Sequence, residues 1–317
     1  MSIVYEYIYN YYSYFLLFLF NNIRCTNIYD EKLKKISSHV PLHIKPLNDI
    51  DFGHYLAGLI DGDGHFSTAN QLIISFHLKD ISLAYFIKKR IGFGSVKKIK
   101  NKKAVVFIIS SIKGLIVVFN LINGKLRHFI KFNQVNNIIS NLKYKELNES
   151  ERFNFSMNNV NDLNNYWLSG FSDADASFQI KIIYRINRKK PEIRLNFQID
   201  QKYKDILSLI KDKLGGNMGY RANQDTYYYG STNFGSAKKV INYFDHFSLL
   251  STKYINYLKW REAYLLIQNK DHLTKKGLNK RPTVIGNLVF DANYKKGSHY
   301  LNRTKQIRYG NRCNYIQ

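Results

Sequence analysis

The chain can be laid on itself. HYLAGLIDGDGHFS at 54–67 matches YWLSGFSDADASFQ at 166–179, and Asp63 and Asp175 hold the same place in each, an offset of 175 − 63 = 112. Other elements recur in the same order. After the first motif comes the alternating segment LIISFHL at 72–78, then the helix-like DISLAYFIKKRIG with a stop at Gly92. After the second comes RLNFQID at 194–200, then KDILSLIKDKLGG with its stop at Gly215 and Gly216. Strand-like AVVFIIS and TYYYGST follow, each running into an amphipathic helix, IKGLIVVFNLI or FGSAKKVINYF, and each copy closes with a helix, FNQVNNIISNL or INYLKWREAYLLI.

Each unit therefore reads as helix, hairpin, helix, hairpin, helix. The expected fold is α+β, with two pseudo-symmetric αββαββα repeats and antiparallel sheets. The expected organisation is a poorly packed leader at 1–50, a first repeat at 51–146, a polar linker at 147–165, a second repeat at 166–280 and a basic tail at 281–317. The tail has no counterpart in the first copy and reads either as irregular chain or as the product of a shifted reading frame.

Both motifs place small residues inside an apolar helix, Ala57 and Gly58 in one, Ser169 and Gly170 in the other. A glycine inside a helix costs about 1 kcal/mol relative to alanine, so it asks for a packing reason. Two helices packed backbone to backbone supply one, which makes the motif helices the expected seam between the repeats. Each helix ends in an acidic pair, Asp61 with Asp63 and Asp173 with Asp175. A helix C-terminus already carries unpaired carbonyls and partial negative charge, so added carboxylates there are unfavourable unless a cation binds. Two such ends side by side suit Mg²⁺, which takes few carboxylates together with water and phosphate oxygens. Asp63 and Asp175 are the expected metal ligands, while Asp61 and Asp173 read as helix-end caps or solvated residues.

Forty-eight Lys and Arg against 23 Asp and Glu give a formal charge of +25. Such a chain repels itself without a polyanionic partner, and nucleic acid is the first candidate. An anionic membrane surface, or a codon bias toward Lys, Asn, Ile and Tyr, accounts for the charge less directly. Only Cys25 and Cys313 occur, which supports neither a disulfide framework nor a zinc finger. The apolar start is interrupted by Glu6, Asn10 and Ser13, and its clean run from Tyr14 to Phe20 falls well short of the roughly 20 residues of a spanning helix. No stable membrane insertion is expected, and neither a signal peptide nor an import presequence is legible.

A two-stranded ribbon fits the major groove of DNA, where polar side chains on one face can reach base edges. In the second copy the outward candidates are Gln179, Lys181, Arg194, Asn196 and Gln198, around a basic turn that includes Arg185. In the first they are His65, Ser67, Gln71, Ser75 and His77, with Ser95, Lys97 and Lys98 on the second hairpin. Neutralising roughly ten phosphates gives a log-log salt slope near −9.

The two motifs and the order of the elements around them resemble the LAGLIDADG homing endonuclease family. The two-copy form is similar to its single-chain members encoded in fungal mitochondrial group I introns of the cytochrome oxidase subunit 1 type. The resemblance covers residues 51 to 276 or thereabouts. It implies that Asp63 and Asp175, the last acidic residue of each motif, bind two or three shared divalent ions and the scissile phosphates. It implies catalytic roles for a polar residue ending the second strand, here Gln201 and Asp80, and for a Lys before the last helix, here Lys131 and Lys253. The second motif departs from the family pattern in carrying Ala176 where glycine is usual. The resemblance further implies a monomer with an internal pseudo-two-fold and a long asymmetric site in double-stranded DNA. It implies Mg²⁺-dependent cleavage of both strands across the minor groove, short 3′ overhangs, a role in intron mobility and a mitochondrial location. The alternative that stays open is an RNA maturase that binds its host group I intron.

Overall fold

A computed structural model describes residues 35–143, 154–183, 192–274 and 304–309. Residues 35–38 carry no helix or strand. Most of the leader, part of the linker, the basic turn with Arg185, and residues 275–303 and 310–317 lie outside the described residues.

The first motif forms α1 (Asp49–Asp63) because its start is capped twice over. The Asn48 side chain accepts the Asp51 N–H, and Asp49 and Asp51 place negative charge in the first turn. The second motif forms the shorter α5 (Trp167–Asp175), where the Asn165 side chain accepts the Trp167 N–H at 2.9 Å. The two helices meet backbone to backbone. A Cβ added at Gly58 would lie 1.9 Å from the Trp167 carbonyl oxygen, and one at Gly170 would lie 1.9 Å from that of Tyr55. Gly53 likewise admits the Leu121 carbonyl of α3 (Ile112–Ile122), so α1 is gripped on two sides.

Each motif helix runs directly into a sheet. The first sheet has strand order β1-β2-β4-β3, from β1 (Gly64–Ser67), β2 (Gln71–His77), β3 (Ser95–Lys98) and β4 (Ala104–Ile109). The second has order β7-β8-β6-β5-β9, from β5 (Ala176–Ile183), β6 (Glu192–Gln201), β7 (Asn217–Arg221), β8 (Thr226–Gly230) and β9 (Thr304–Tyr309). All pairings are antiparallel, as the alternating patterns led us to expect. Strand β9 is an addition that the sequence reading did not contain. It comes from the tail and pairs with β5 at the sheet edge, where backbone N–H and C=O groups are otherwise left open.

One face of each sheet is apolar and covered. Leu72, Ile74 and Phe76 alternate inward on β2, and Leu195, Phe197 and Ile199 do so on β6. Helices α2 (Ile81–Ile91), α3 and α4 (Phe129–Lys143) belong to the first repeat; α6 (Asp205–Leu214), α7 (Phe234–His246) and α8 (Lys253–Gln268) belong to the second. Thus both helices that follow each second hairpin are present. Ser111 and Asn233 cap the starts of α3 and α7 through their side chains, at matching places in the two repeats.

The last part of the expected leader is packed rather than loose. Ile44 N–H donates to Ser248 Oγ at 3.1 Å and the His43 ring lies 4.3 Å from Tyr254, both in the second repeat. A few residues on, the Pro46 carbonyl accepts from Arg90 of the first repeat at 2.9 Å. This strap crosses from one repeat to the other. No helix among the described residues is long and apolar enough to cross a membrane.

Candidate active site and nucleic-acid interface

The motif helices stay close to their ends. A Cβ on Gly62 would lie 2.3 Å from the Ala174 Cβ and 3.2 Å from Asp175 Oδ2, so only glycine lets the C-terminal turns approach this far. Asp63 and Asp175, each the last residue of its helix, are thereby brought side by side, half-buried. Burial and the facing Asp175 charge push the Asp63 carboxyl up to about 7, against the opposing pull of Lys253 and Lys131. Two carboxylates crowded in this way, with one held toward its neutral form, suit a divalent cation that neutralises both. The oxygen-only donor set fits Mg²⁺. No cluster of three or more His, Cys, Asp or Glu suited to a metal occurs among the described residues, so water and substrate oxygens would complete the shell.

The two lysines flank this pair. Lys131 Nζ donates to the Gly64 carbonyl at 2.6 Å, and Lys253 Nζ donates to the carbonyls of Ala174 at 2.7 Å and Ser172 at 3.1 Å. Each satisfies carbonyls that a helix end leaves open and offsets the partial negative charge there. Burial lowers the Lys131 pKa, while the charges of Asp61, Asp175 and Asp63 hold it up.

Gln201 reaches the site, where its side-chain amide donates to Asp175 Oδ2 at 2.5 Å. Asp80 does not play the matching part. Its carboxylate accepts the Thr252 N–H at 2.7 Å, at the entry to α8 in the other repeat. Sheet register explains the correction. Gly64 pairs with Ile74 and the equivalent Ala176 with Ile199; two residues further along, Gln201 corresponds to Phe76. Phe76 is buried, so the first repeat holds an apolar ring where the second holds an amide.

Asp61 and Asp173 are buried caps, at 1% and 8% exposure, which removes the solvated reading. They cap the chain entering the last helix of each repeat rather than their own helix ends. Asp61 accepts from the N–H groups of Arg127 at 2.8 Å and His128 at 3.1 Å, before α4. Asp173 accepts from Leu250 N–H at 2.7 Å and from Ser251, before α8. Across the seam, Trp167 Nε1 donates to Asp61 at 2.8 Å and the Tyr55 hydroxyl donates to Asp173 at 2.7 Å. The sequence reading missed Tyr55 and Trp167. Their signal was an aromatic with a polar hydrogen at one place in both motifs, 167 − 55 = 112.

The outer face of each sheet carries most of the expected nucleic-acid contacts. On the first sheet His65, Ser67, Gln71, Ser75 and His77 alternate outward opposite the core residues, and Ser95 and Lys97 join them through β4. Lys98 is exposed but pairs with buried Val105, which turns it toward the other side; adjacent strand residues cannot share a face. On the second sheet Lys181 and Arg194 pair across strands, with Arg194 held by Glu192 at 2.6 Å. Gln179 and Asn196 are 3% and 8% exposed, hydrogen-bonded to one another and to Gln198, so they are not offered outward as expected. The network continues from Gln198 to Asp200 and Arg221, whose guanidinium lies over Tyr228.

The family model described as LAGLIDADG endonuclease matches residues 168–264. The uncharacterized cox1 intron-2 37.2 kDa protein of Schizosaccharomyces pombe is 63% identical over 248 residues, covering 78% of this chain and 76% of that protein. The intron-encoded DNA endonuclease aI3 of Saccharomyces cerevisiae is 28% identical, with 72% of this chain and 67% of that protein covered. The intron-encoded RNA maturase bI4 of the same yeast is 29% identical over 65% of this chain, which spans 31% of the maturase. Among solved structures, meganuclease I-SmaMI bound to uncleaveable DNA superposes with a TM-score of 0.63 at 22% identity, covering 79% of this chain and 100% of that one. That likeness is one of fold.

Proposed function

Because the chain belongs to the LAGLIDADG endonuclease family, we propose that it is a Mg²⁺-dependent, site-specific DNA endonuclease that cuts both strands and promotes mobility of its intron. The observation that carries this reading is the meeting of Asp63 and Asp175 between two sheets whose outer faces hold the polar and basic residues.

In this reading Asp63 and Asp175 would hold the metal, one carboxylate serving each DNA strand. Bound Mg²⁺ supplies charge neutralisation at the scissile phosphates and a more acidic water. Gln201, hydrogen-bonded to Asp175, orients the attacking water in one half of the site. Lys131 and Lys253 each brace the motif-helix end of their own repeat and lend positive charge as negative charge develops on the phosphate. Asp63 retains its proton toward neutral pH, and a bound cation would have to displace it, so metal affinity would rise with pH. Both carboxylates come from one chain, so a monomer with an internal pseudo-two-fold suffices. Two unlike sheets imply a long, asymmetric duplex site. The fungal cox1 relative supports a cytochrome oxidase junction as target and a mitochondrial location.

The test is cleavage of a plasmid bearing the intronless cox1 junction by the full chain, with Mg²⁺ or EDTA, beside the Asp63→Asn, Asp175→Asn double variant. Mg²⁺-dependent double-strand cutting that the double variant loses is expected. Absence of cutting at any site in a randomised duplex library overturns the reading.

The similarity to the bI4 maturase favours a second activity, binding of host intron RNA. Splicing assistance that survives the double variant would establish it, since that role needs a basic surface and no metal pair.

A further inference from the structure

The outer faces of the two sheets differ in kind. On the first, Ile73 pairs directly across strands with Ile108, and Val106 follows two residues along β4. All three lie on the face opposite the core, half-buried, in the middle of the sheet. Around them stand His65, Ser75, Ser95 and Lys97. Register identifies their counterparts in the second sheet. Ile74 pairs with Phe107 and Ile199 with Tyr229, so Ile73, Val106 and Ile108 correspond to Gln198, Tyr228 and Gly230. The second sheet therefore presents the Gln198 amide and the Arg221-Tyr228 pair where the first presents three aliphatic side chains.

Strands β1 to β4 contain no carboxylate, and the turn after β3 adds exposed Lys100, Lys102 and Lys103 to Lys97. An apolar centre with polar neighbours and a basic turn at one end matches the major groove of a duplex, where the thymine C5-methyl is the one apolar group on a base edge. Resting on the DNA-endonuclease reading, we propose that the first sheet recognises its half-site through thymine methyl groups, using Ile73, Val106 and Ile108, while the second reads by hydrogen bonds. Two residues along a strand span about 6.8 Å, two base-pair steps, so the methyls fall within about three base pairs.

The experiment enriches bound duplexes from a random pool with the full chain in EDTA, then replaces thymine by deoxyuridine in one half-site at a time. Burying one methyl against an aliphatic side chain corresponds to about a fourfold change in Kd. Deoxyuridine in one half-site should weaken binding by about that factor per methyl, and in the other half-site by less than twofold. Ile73→Gln with Ile108→Ser should weaken binding to the thymine site, leave the deoxyuridine site unaffected and abolish the difference between them. The base substitution probes the unaltered protein, so it decides even if the variant folds poorly. Equal indifference to deoxyuridine in both half-sites overturns the inference while leaving DNA binding standing. Failure to enrich any duplex overturns the DNA reading itself, and this inference with it.

Discussion

The Tyr55 hydroxyl donates to the Asp173 carboxylate across the helix seam at 2.7 Å, and the equivalent Trp167 indole returns the bond to Asp61 at 2.8 Å. Each repeat thus satisfies a buried acid of the other. Tyr55→Phe should cost about 1–2 kcal/mol of unfolding free energy, the loss of one hydrogen bond to a buried charged group. Asp173→Ala should cost more than about 3 kcal/mol, because it strands the Tyr55 hydroxyl, Ser251 and the Leu250 N–H together. Urea denaturation in EDTA measures both, and an unchanged midpoint for Tyr55→Phe would count against the bridge.

Gly58 and Gly170 admit nothing larger than hydrogen. With an added Cβ 1.9 Å from a facing carbonyl oxygen in both cases, Gly58→Ala or Gly170→Ala must force the helices apart. Loss of more than about 4 kcal/mol is expected, enough to leave much of the chain unfolded or aggregated. A soluble Gly58→Ala chain with the native melting temperature would refute the packing.

The crowded carboxylates give the metal-free protein a definite pH response. The folded-state pKa of Asp63 is raised from 3.8 to about 7, so its contribution to stability is fully present below 3.8 and is lost as pH rises through 7. Asp63→Asn should therefore be more stable to urea than the parent chain in EDTA at pH 8, by about 1–2 kcal/mol after allowing for its partly hydrated position, with the gap closing by pH 4. Comparison with the variant separates Asp63 from Asp61, which burial raises to about 6 and which acts in the same direction. Identical pH profiles for the two proteins would exclude the repulsion.

If the chain cuts DNA as proposed, its two strands should not be cut at one rate. Gln201 touches Asp175, whereas buried Phe76 stands at the matching place in the first repeat. Gln201→Ala should slow nicking of one strand by about tenfold or more and leave the other largely unaffected. Supercoiled plasmid followed through nicked circle to linear DNA, with each strand end-labelled, reads this directly. Equal slowing of both strands would sink the assignment.

The repeat, the helix seam and the two metal-binding candidates were legible in the sequence because they are properties of local pattern. Mid-helix glycines, alternating strands and a carboxylate at the end of each motif carry their physical meaning without knowledge of distant contacts. What Asp61 and Asp173 do was not legible, since their donors, at 127–128 and 250–251, are far away in the chain and approach only once the last helix of each repeat has docked. The partner of Asp80 depends on how the entry to the last helix of the second repeat docks against the first, and the identity of Phe76 as the counterpart of Gln201 depends on strand register, which turns one side chain to a face and its neighbour away. The same rule separated Lys97 from Lys98, and network formation withdrew Gln179 and Asn196 from the surface. Short-range pattern thus determined the elements and the place of the carboxylates, while cross-strand register and helix docking decided which polar groups face one another and which remain to meet a ligand.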